Sequence, residues 1–437
     1  METNITLYGG VNEVGGNKIL ISTREASIML DFGLSYQSRR KFFSDPFIIP
    51  RDVETLVKLG IVPNVPEMYS EKLEKPFDAL FLSHAHRDHT GHIGLLRKDI
   101  PTYAGEASLN ILKALNEASR KSIESDIHGK ILKSFHTGDV IKIGNLEIAP
   151  IHVDHSTPGS YGFVIKTPEG SIAYTGDFRT HGPKFSMTED FIRKMKEQQI
   201  EVLITEHTNM LDGVVSSEKE VEEKISEITH SCEGLVIGDF AIADIDRYNS
   251  FYNAAMRNGR QLVITPKRAA ILSSLRNDRR INVRAENTFV LMKEKQRTYD
   301  WEEKIFKEWK TIESEDVSKK QKEFLVLIPQ VEMQQIFKIS PIPGSVFIFS
   351  SSEPFNEELE IDYDRLINWL GAMGVPMYTV HVSGHIMPIH LKRVIREVRP
   401  KKVVPIHGEN PELFKKYIED LNVQVEIPKV GSKISLG

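Results

Sequence analysis

The sequence predicts an α/β fold of two domains whose reactive side chains gather at strand ends, and three observations predict it. Short apolar runs recur along the chain, and several are followed at once by an aspartate or a histidine. Amphipathic helical segments alternate with those runs over much of the length. A middle stretch with its own series of strands and helices interrupts the pattern before it resumes. At 437 residues the chain is too long for one simple core, while its 40% hydrophobic and 27% charged content is that of an ordinary globular protein.

Taken in order, the first strand falls on Ile5-Thr-Leu-Tyr8. Residues 26–30 form a strand that ends at Asp31, and residues 78–82 form one that runs into Ser83-His84-Ala85-His86-Arg87-Asp88-His89. Residues 105–119 and 188–198 carry helical periodicity. The run 146–153 precedes His155, and 171–176 precedes Asp177. Strands at 234–238, 261–265, 324–328 and 345–350, separated by amphipathic helices, make up the middle stretch. One of those helices is read over the charge-rich 292–323, with Trp301, Phe306 and Trp309 facing the core. The chain returns through Met377-Tyr-Thr-Val380, and residues 402–406 deliver His407. The predicted division is 1–208 and 377–437 for one domain, with 209–376 inserted into it.

The histidine-rich run is the most informative segment. Clustered imidazoles are costly to desolvate and repel one another when protonated, so packing alone does not call for them. A divalent metal offsets that cost, because neutral imidazole and carboxylate are the ligand types zinc and its neighbours take. Asp31 or Asp177 alone would read as a turn cap. Repetition of a strand followed by Asp or His at several points instead describes a scaffold that delivers ligands to one rim.

Net charge is −5, yet two stretches are basic: 257–284 holds Arg257, Arg260, Lys267, Arg268, Arg276, Arg279, Arg280 and Arg284 against Asp278 alone, and 392–402 holds a second group. Such runs are often solvated faces; two of them in an acidic chain point to a local site for a polyanion. The single cysteine, Cys232, permits no intrachain disulfide and fits a reducing compartment. The N-terminus lacks the features of a signal peptide, and no apolar run is long enough to span a bilayer. A cytoplasmic protein without membrane contact is expected.

The order Asp31, His84-x-His86-x-Asp88-His89, His155, Asp177 resembles the metallo-β-lactamase fold. Glu206 in Leu203-Ile-Thr-Glu-His-Thr-Asn209, His385 in His381-Val-Ser-Gly-His385 and His407 in Val404-Pro-Ile-His-Gly-Glu409 resemble motifs A, B and C of its β-CASP branch, the nucleic-acid nucleases. Within that branch, Tyr8-Gly-Gly-Val-Asn-Glu-Val-Gly-Gly16, Asp154-His-Ser-Thr-Pro-Gly-Ser-Tyr161 and the His381–His385 motif are most similar to ribonuclease J. Two positions depart from that pattern. A Gly-Ser-Gln-Gly-Glu-Pro stretch is replaced by Phe349-Ser-Ser-Ser-Glu-Pro354, and His207 stands where motif A usually has Ser. Ending at Gly437, the chain looks like the short archaeal members.

The resemblance implies an αββα sandwich with an inserted α/β β-CASP domain, and two zinc ions, with manganese or magnesium as activating alternatives. His84, His86 and His155 would take the first ion, Asp88, His89 and His407 the second, with Asp177 bridging and Asp31 orienting a ligand histidine. Catalytic roles are implied for Asp88, His385 and Glu206, the last two as the pair that protonates the leaving oxygen. A phosphate would lie at His381, Val382, Ser383, Gly384 and His385, assisted by Ser351. Phe240, Arg276, Arg279 and Arg280 are expected RNA contacts, on an insertion facing the metals across a cleft. The implied protein is a homodimeric ribonuclease that degrades single-stranded RNA from a 5′-monophosphate end, with internal cuts as a second mode. Two rivals stand beside it: a hydrolase of small esters or thioesters on the same fold, and an RNA-binding subunit without activity.

Overall fold

The structure is a computed structural model that describes residues 2–45, 47–211, 213, 216–278, 280–281, 283–293, 298–351 and 357–436. The chain divides into two compact units: Met1–Asn116, Arg120–Gly213 and Gly384–Gly437 make the first, and Glu117–Ser119 with Val214–Ser383 the second.

The first unit is built on two seven-stranded sheets. One runs in the order Lys433–Ser435, Asn4–Gly9, Lys18–Ser22, Ser27–Leu30, Ala79–Leu82, Thr102–Gly105, Leu132–Phe135. The other runs Gln424–Val425, Lys402–Ile406, Ile200–Glu206, Gly170–Tyr174, Tyr161–Thr167, Leu146–His152, Ile141–Ile143. Each sheet is antiparallel at one end and parallel at the other, so parallel strands such as Ala79–Leu82 are buried on both faces. That explains their uninterrupted apolar sequence. Ala79 and Phe81 join Ile28, Leu30, Phe163, Ile172, Ile204 and Ile406 in the core between the sheets. Leu80 and Leu82, one residue out of phase, pack outward on Ile93, Leu96 and Leu109. Behind the second sheet, helices Phe185–Gln198 and Pro388–Val398 supply Phe191, Ile192, Leu391 and Val394 to another core. Helix, sheet, sheet, helix is the αββα sandwich.

The second unit carries one all-parallel sheet in the order Lys310–Ile312, Thr288–Leu291, Gln261–Ile264, Phe324–Leu327, Val236–Asp239, Val346–Phe349, Met377–Thr379. Two expectations are corrected here. The segment 292–323 is not one helix: Asp300–Glu308 and Ser314–Lys319 flank the edge strand Lys310–Ile312. The three aromatics all lie before that strand; Trp309 is buried, bonded through Nε1 to Ser273, while Trp301 and Phe306 are half-buried. Met377–Thr379 does not begin the return to the first unit but pairs with Val346–Phe349, and the units meet in sequence at Ser383 and Gly384.

Candidate metal centre

Strand ends position every histidine of the cluster. Asp31 follows Ser27–Leu30 with a left-handed φ of 55°, and His407 follows Lys402–Ile406 with φ of 50°. Neither residue adopts that conformation cheaply, and such strain concentrates at functional sites. Between them the run after Ala79–Leu82 turns into a short helix, Arg87–Thr90, carrying Asp88 and His89. The turn packs against the neighbouring loop so closely that a Cβ on Gly33 would lie 1.6 Å from the Asp88 carbonyl oxygen.

The nitrogens and carboxylates converge on two points. His84, His86, His155 and Asp177 form one group and Asp88, His89, Asp177 and His407 another, each with ligand atoms within 4.8 Å of one another and each able to hold a metal ion. Nε2 of His84 and Nε2 of His155 stand 3.1 and 3.2 Å from Nδ1 of His86. In the second group, Oδ2 of Asp88 is 3.0 Å from Nε2 of His407, and Oδ2 of Asp177 is 3.2 Å from Nε2 of His89 and 3.5 Å from Nε2 of His407.

The far side of four of the imidazoles is held. His89 donates from Nδ1 to Asp31 at 2.8 Å, and His155 from Nδ1 to the Gly384 carbonyl at 2.7 Å. Nδ1 of His84 faces Ser83 Oγ at 3.0 Å, and Nδ1 of His407 faces Thr208 Oγ1 at 3.0 Å. In these four the contacts put the proton on Nδ1 and turn Nε2 to the nest, whereas His86 turns Nδ1 to it. Asp31 is itself fixed by Ser83 N, Ser83 Oγ and Tyr174 Oη.

Two properties show that the donors fit a cation. Both carboxylate oxygens of Asp177 and Nε2 of His89 are buried with no hydrogen-bond partner among the described residues. Unsatisfied buried polar atoms are costly, and a metal would satisfy all of them at once. Burial and neighbouring imidazoles also push His84 and His155 well below the usual histidine range, which keeps them neutral ligands. His89 goes the other way: burial lowers it, but Asp177, Asp88 and Asp31 outweigh burial and raise it well above.

A third group abuts these. His385 Nδ1 stands 3.1 Å from Glu206 Oε2 and 3.7 Å from Asp177 Oδ2. Burial opposes its charge, but the two carboxylates raise its pKa to about 9. Glu206 is buried at the end of Ile200–Glu206, accepting from Phe178 N and Thr208 Oγ1. Ser83, Tyr174 and Thr208 went unnoticed in the sequence. Each is a small or phenolic hydroxyl whose role is visible only once its partners are in place.

The remaining expected residues are distributed over both units. Gly384 belongs to the first unit, and a Cβ there would come within 2.9 Å of the His155 ring. His381, Val382, Ser383 and Ser351 belong to the second; Val382 is buried and the other three are partly exposed. Phe240 is 3% exposed, stacked on Phe251 on one face with Arg268 4.0 Å from its ring centre, so the ring serves the core and offers no face to a base. The basic run is not one patch. Arg260 and Arg268 are buried, Arg257 pairs with Glu222, and Arg280 pairs with Asp278. Arg276 lies over the Trp309 ring, and Arg279 lies outside the described residues.

Comparison with known proteins follows the same lines. Residues 63–224 match the β-lactamase superfamily domain, and residues 375–428 match the Zn-dependent metallo-hydrolase RNA specificity domain. The chain is 26% identical to ribonuclease J of Mycoplasma genitalium over 425 residues, covering 93% of this chain and 68% of that one. Identity to ribonuclease J of Sinorhizobium meliloti is 26%, covering 97% and 71%, and to that of Thermus thermophilus 27%, covering 92% and 67%. A crystal structure of a protein of unknown function from Enterococcus faecalis shares the fold over the whole of both chains, with a TM-score of 0.80 at 23% identity. Among the described residues no helix is long and apolar enough to cross a membrane. The chain thus carries a β-lactamase superfamily domain with buried His/Asp nests at its strand ends, and it is similar to ribonucleases J along nearly its whole length.

Proposed function

We propose that this protein is a two-zinc ribonuclease that hydrolyses single-stranded RNA from a 5′-monophosphorylated end. One observation carries the reading: two buried His/Asp nests share Asp177 and adjoin the His385–Glu206 pair, in a chain similar to ribonuclease J almost throughout. His84, His86 and His155 would hold one ion, and Asp88, His89 and His407 the other, with Asp177 common to both. Bound there, the metals supply Lewis acidity, activating water and neutralising charge on the phosphate.

The chain's own residues do the rest. Asp31, Gly384, Thr208 and Ser83 hold the ligand imidazoles in one tautomer and orientation. His385, beside Glu206, is suited to give a proton to the departing oxygen. With Glu206 engaging Nδ1, the proton delivered is the one on Nε2. Donors on His381 and Ser383 and the amide of Gly384 are chemically suited to a phosphate.

The experiment is a time course on one single-stranded RNA labelled at its 3′ end and bearing a 5′-triphosphate, monophosphate or hydroxyl. Progressive shortening favoured by the monophosphate, and abolished by chelation or Asp88→Ala, is the expected result. Internal fragments indifferent to the 5′ group would make the activity endonucleolytic. No RNA cleavage, with hydrolysis of small esters, would overturn the proposal.

A further inference from the structure

The second unit contains a buried cation whose bonds extend beyond its counter-ion. Arg247, in helix Ile245–Arg257, is 0% exposed. Its Nε donates to Glu218 Oε1 at 2.8 Å and its Nη2 to Glu218 Oε2 at 3.1 Å, a two-pronged pair that balances the charge. The other prong reaches a different part of the unit. Nη1 donates to the Ser350 carbonyl at 2.6 Å and to Ser350 Oγ at 2.7 Å, and it stands 3.3 Å from His381 Nδ1. Nη2 also reaches the Val382 carbonyl at 3.3 Å, and Ser350 Oγ passes a further bond to the Val380 carbonyl. One guanidinium thus fastens the loop after Val346–Phe349 to the turn after Met377–Thr379.

A guanidinium only donates. Its five N–H groups are taken by Glu218, Ser350 and the Val382 carbonyl, and His381 Nδ1 lies beside them. The Ser350 carbonyl that Arg247 engages also stands 3.4 Å from the same nitrogen, so both side chains meet on it. The result is a turn carrying His381 that is fixed at Val380 and Val382. Arg247 is buried while His381, Ser383 and Ser351 are partly exposed, so any effect on a ligand passes through them.

We propose that Arg247, held by Glu218, is a positioning residue for recognition of a 5′-terminal phosphate, setting the course of the turn that carries His381 and Ser383. The proposal rests on the ribonuclease reading above. The bonds of Arg247 to Ser350 and Val382 tie that turn to the buried ion pair.

The test uses the full-length, metal-loaded protein and the same RNA with a 5′-monophosphate or a 5′-hydroxyl. In Arg247→Met/Glu218→Leu both charges go together, so neither is left buried alone. The variant is expected to retain its metal content, its kcat and its rate on 5′-hydroxyl RNA. Its KM for the monophosphorylated RNA should rise about tenfold or more, the equivalent of removing one or two hydrogen bonds. Arg247→Lys keeps the buried cation but not the fork, should fall between, and carries the test should the double variant not fold. An unchanged preference for the monophosphate in a folded variant would overturn the proposal, and so would an equal loss on both RNAs. A wild-type protein with no such preference would instead refute the 5′-monophosphate reading on which the proposal rests.

Discussion

Asp177 is the residue on which both nests depend, since each contains it and its two oxygens have no hydrogen-bond partner among the described residues. Asp177→Ala should therefore lose bound metal and activity together, read by elemental analysis of the purified protein; full metal content would show the two nests to be independent. His385→Ala makes the opposite split. It should keep its metal and lose about 10²–10⁴ in turnover, the usual worth of a positioned acid. Metal loss would make His385 a ligand. The residues in the nests were legible in the sequence because each sits directly after an apolar strand, where the pleat fixes which rim a side chain reaches. Thr208, Ser83 and Tyr174 were not, since a lone hydroxyl near a strand end has no periodicity or charge to mark it. Phe240 shows the converse: its place after a strand could be read, but the ring of Phe251 and the guanidinium of Arg268 that cover it come from distant segments.

Elements were legible where a strand is buried on both faces and short enough to stand out as an apolar run, as at Ala79–Leu82 and Val346–Phe349. They were illegible where an edge strand such as Lys310–Ile312 lies between helices of similar composition. Links between elements are harder to read still. Helix Tyr36–Arg39 is joined to the segment before Leu132–Phe135 by Arg39, which meets both oxygens of Glu124 at 3.0–3.2 Å. Nε2 of His92 lies 3.3 Å from the same carboxylate. Burial lowers His92 to about 4; burial would raise Glu124, but His92 and Arg39 bring it down to about 2. Both groups are depressed, so both contribute stability that disappears as pH falls. For His92 the loss runs from its ordinary 6.5 down to about 4, and for Glu124 it follows from 4.5 down to about 2. His92→Gln should flatten the fall of Tm between pH 6.5 and 4 relative to wild type, metal release being common to both. Parallel curves would remove His92 from the account. Glu124→Ala at neutral pH leaves Arg39 buried without its main partner and should cost about 3–5 kcal/mol in urea unfolding.

On the scale of the whole molecule, charge is the property that composition describes least well. A net −5 with two basic runs suggested a polyanion site, but a sequence counts cations without showing their partners. Lys392 pairs with Asp420, Arg393 with Glu189, Lys401 with Glu201 and Lys402 with Glu426, so most of the second run is neutralised in place. Of the first run, Arg260 and Arg268 are buried and cannot meet a phosphate. Arg276, Arg280 and Arg284 are exposed. Arg280 has its acid Asp278, but an exposed pair of that kind is worth about 1 kcal/mol or less, so RNA phosphates can displace the acid and claim the arginine. Each claimed arginine releases counterions from the strand. Arg276→Glu/Arg280→Glu should then weaken RNA binding and reduce the slope of log Kobs against log salt by about 0.7 for each phosphate no longer neutralised, roughly 1.4 for both. Titrations of a labelled single-stranded RNA at several salt concentrations would read that slope. A slope equal to wild type would assign the exposed arginines to a solvated face, leaving RNA to be held by the strand-end residues alone.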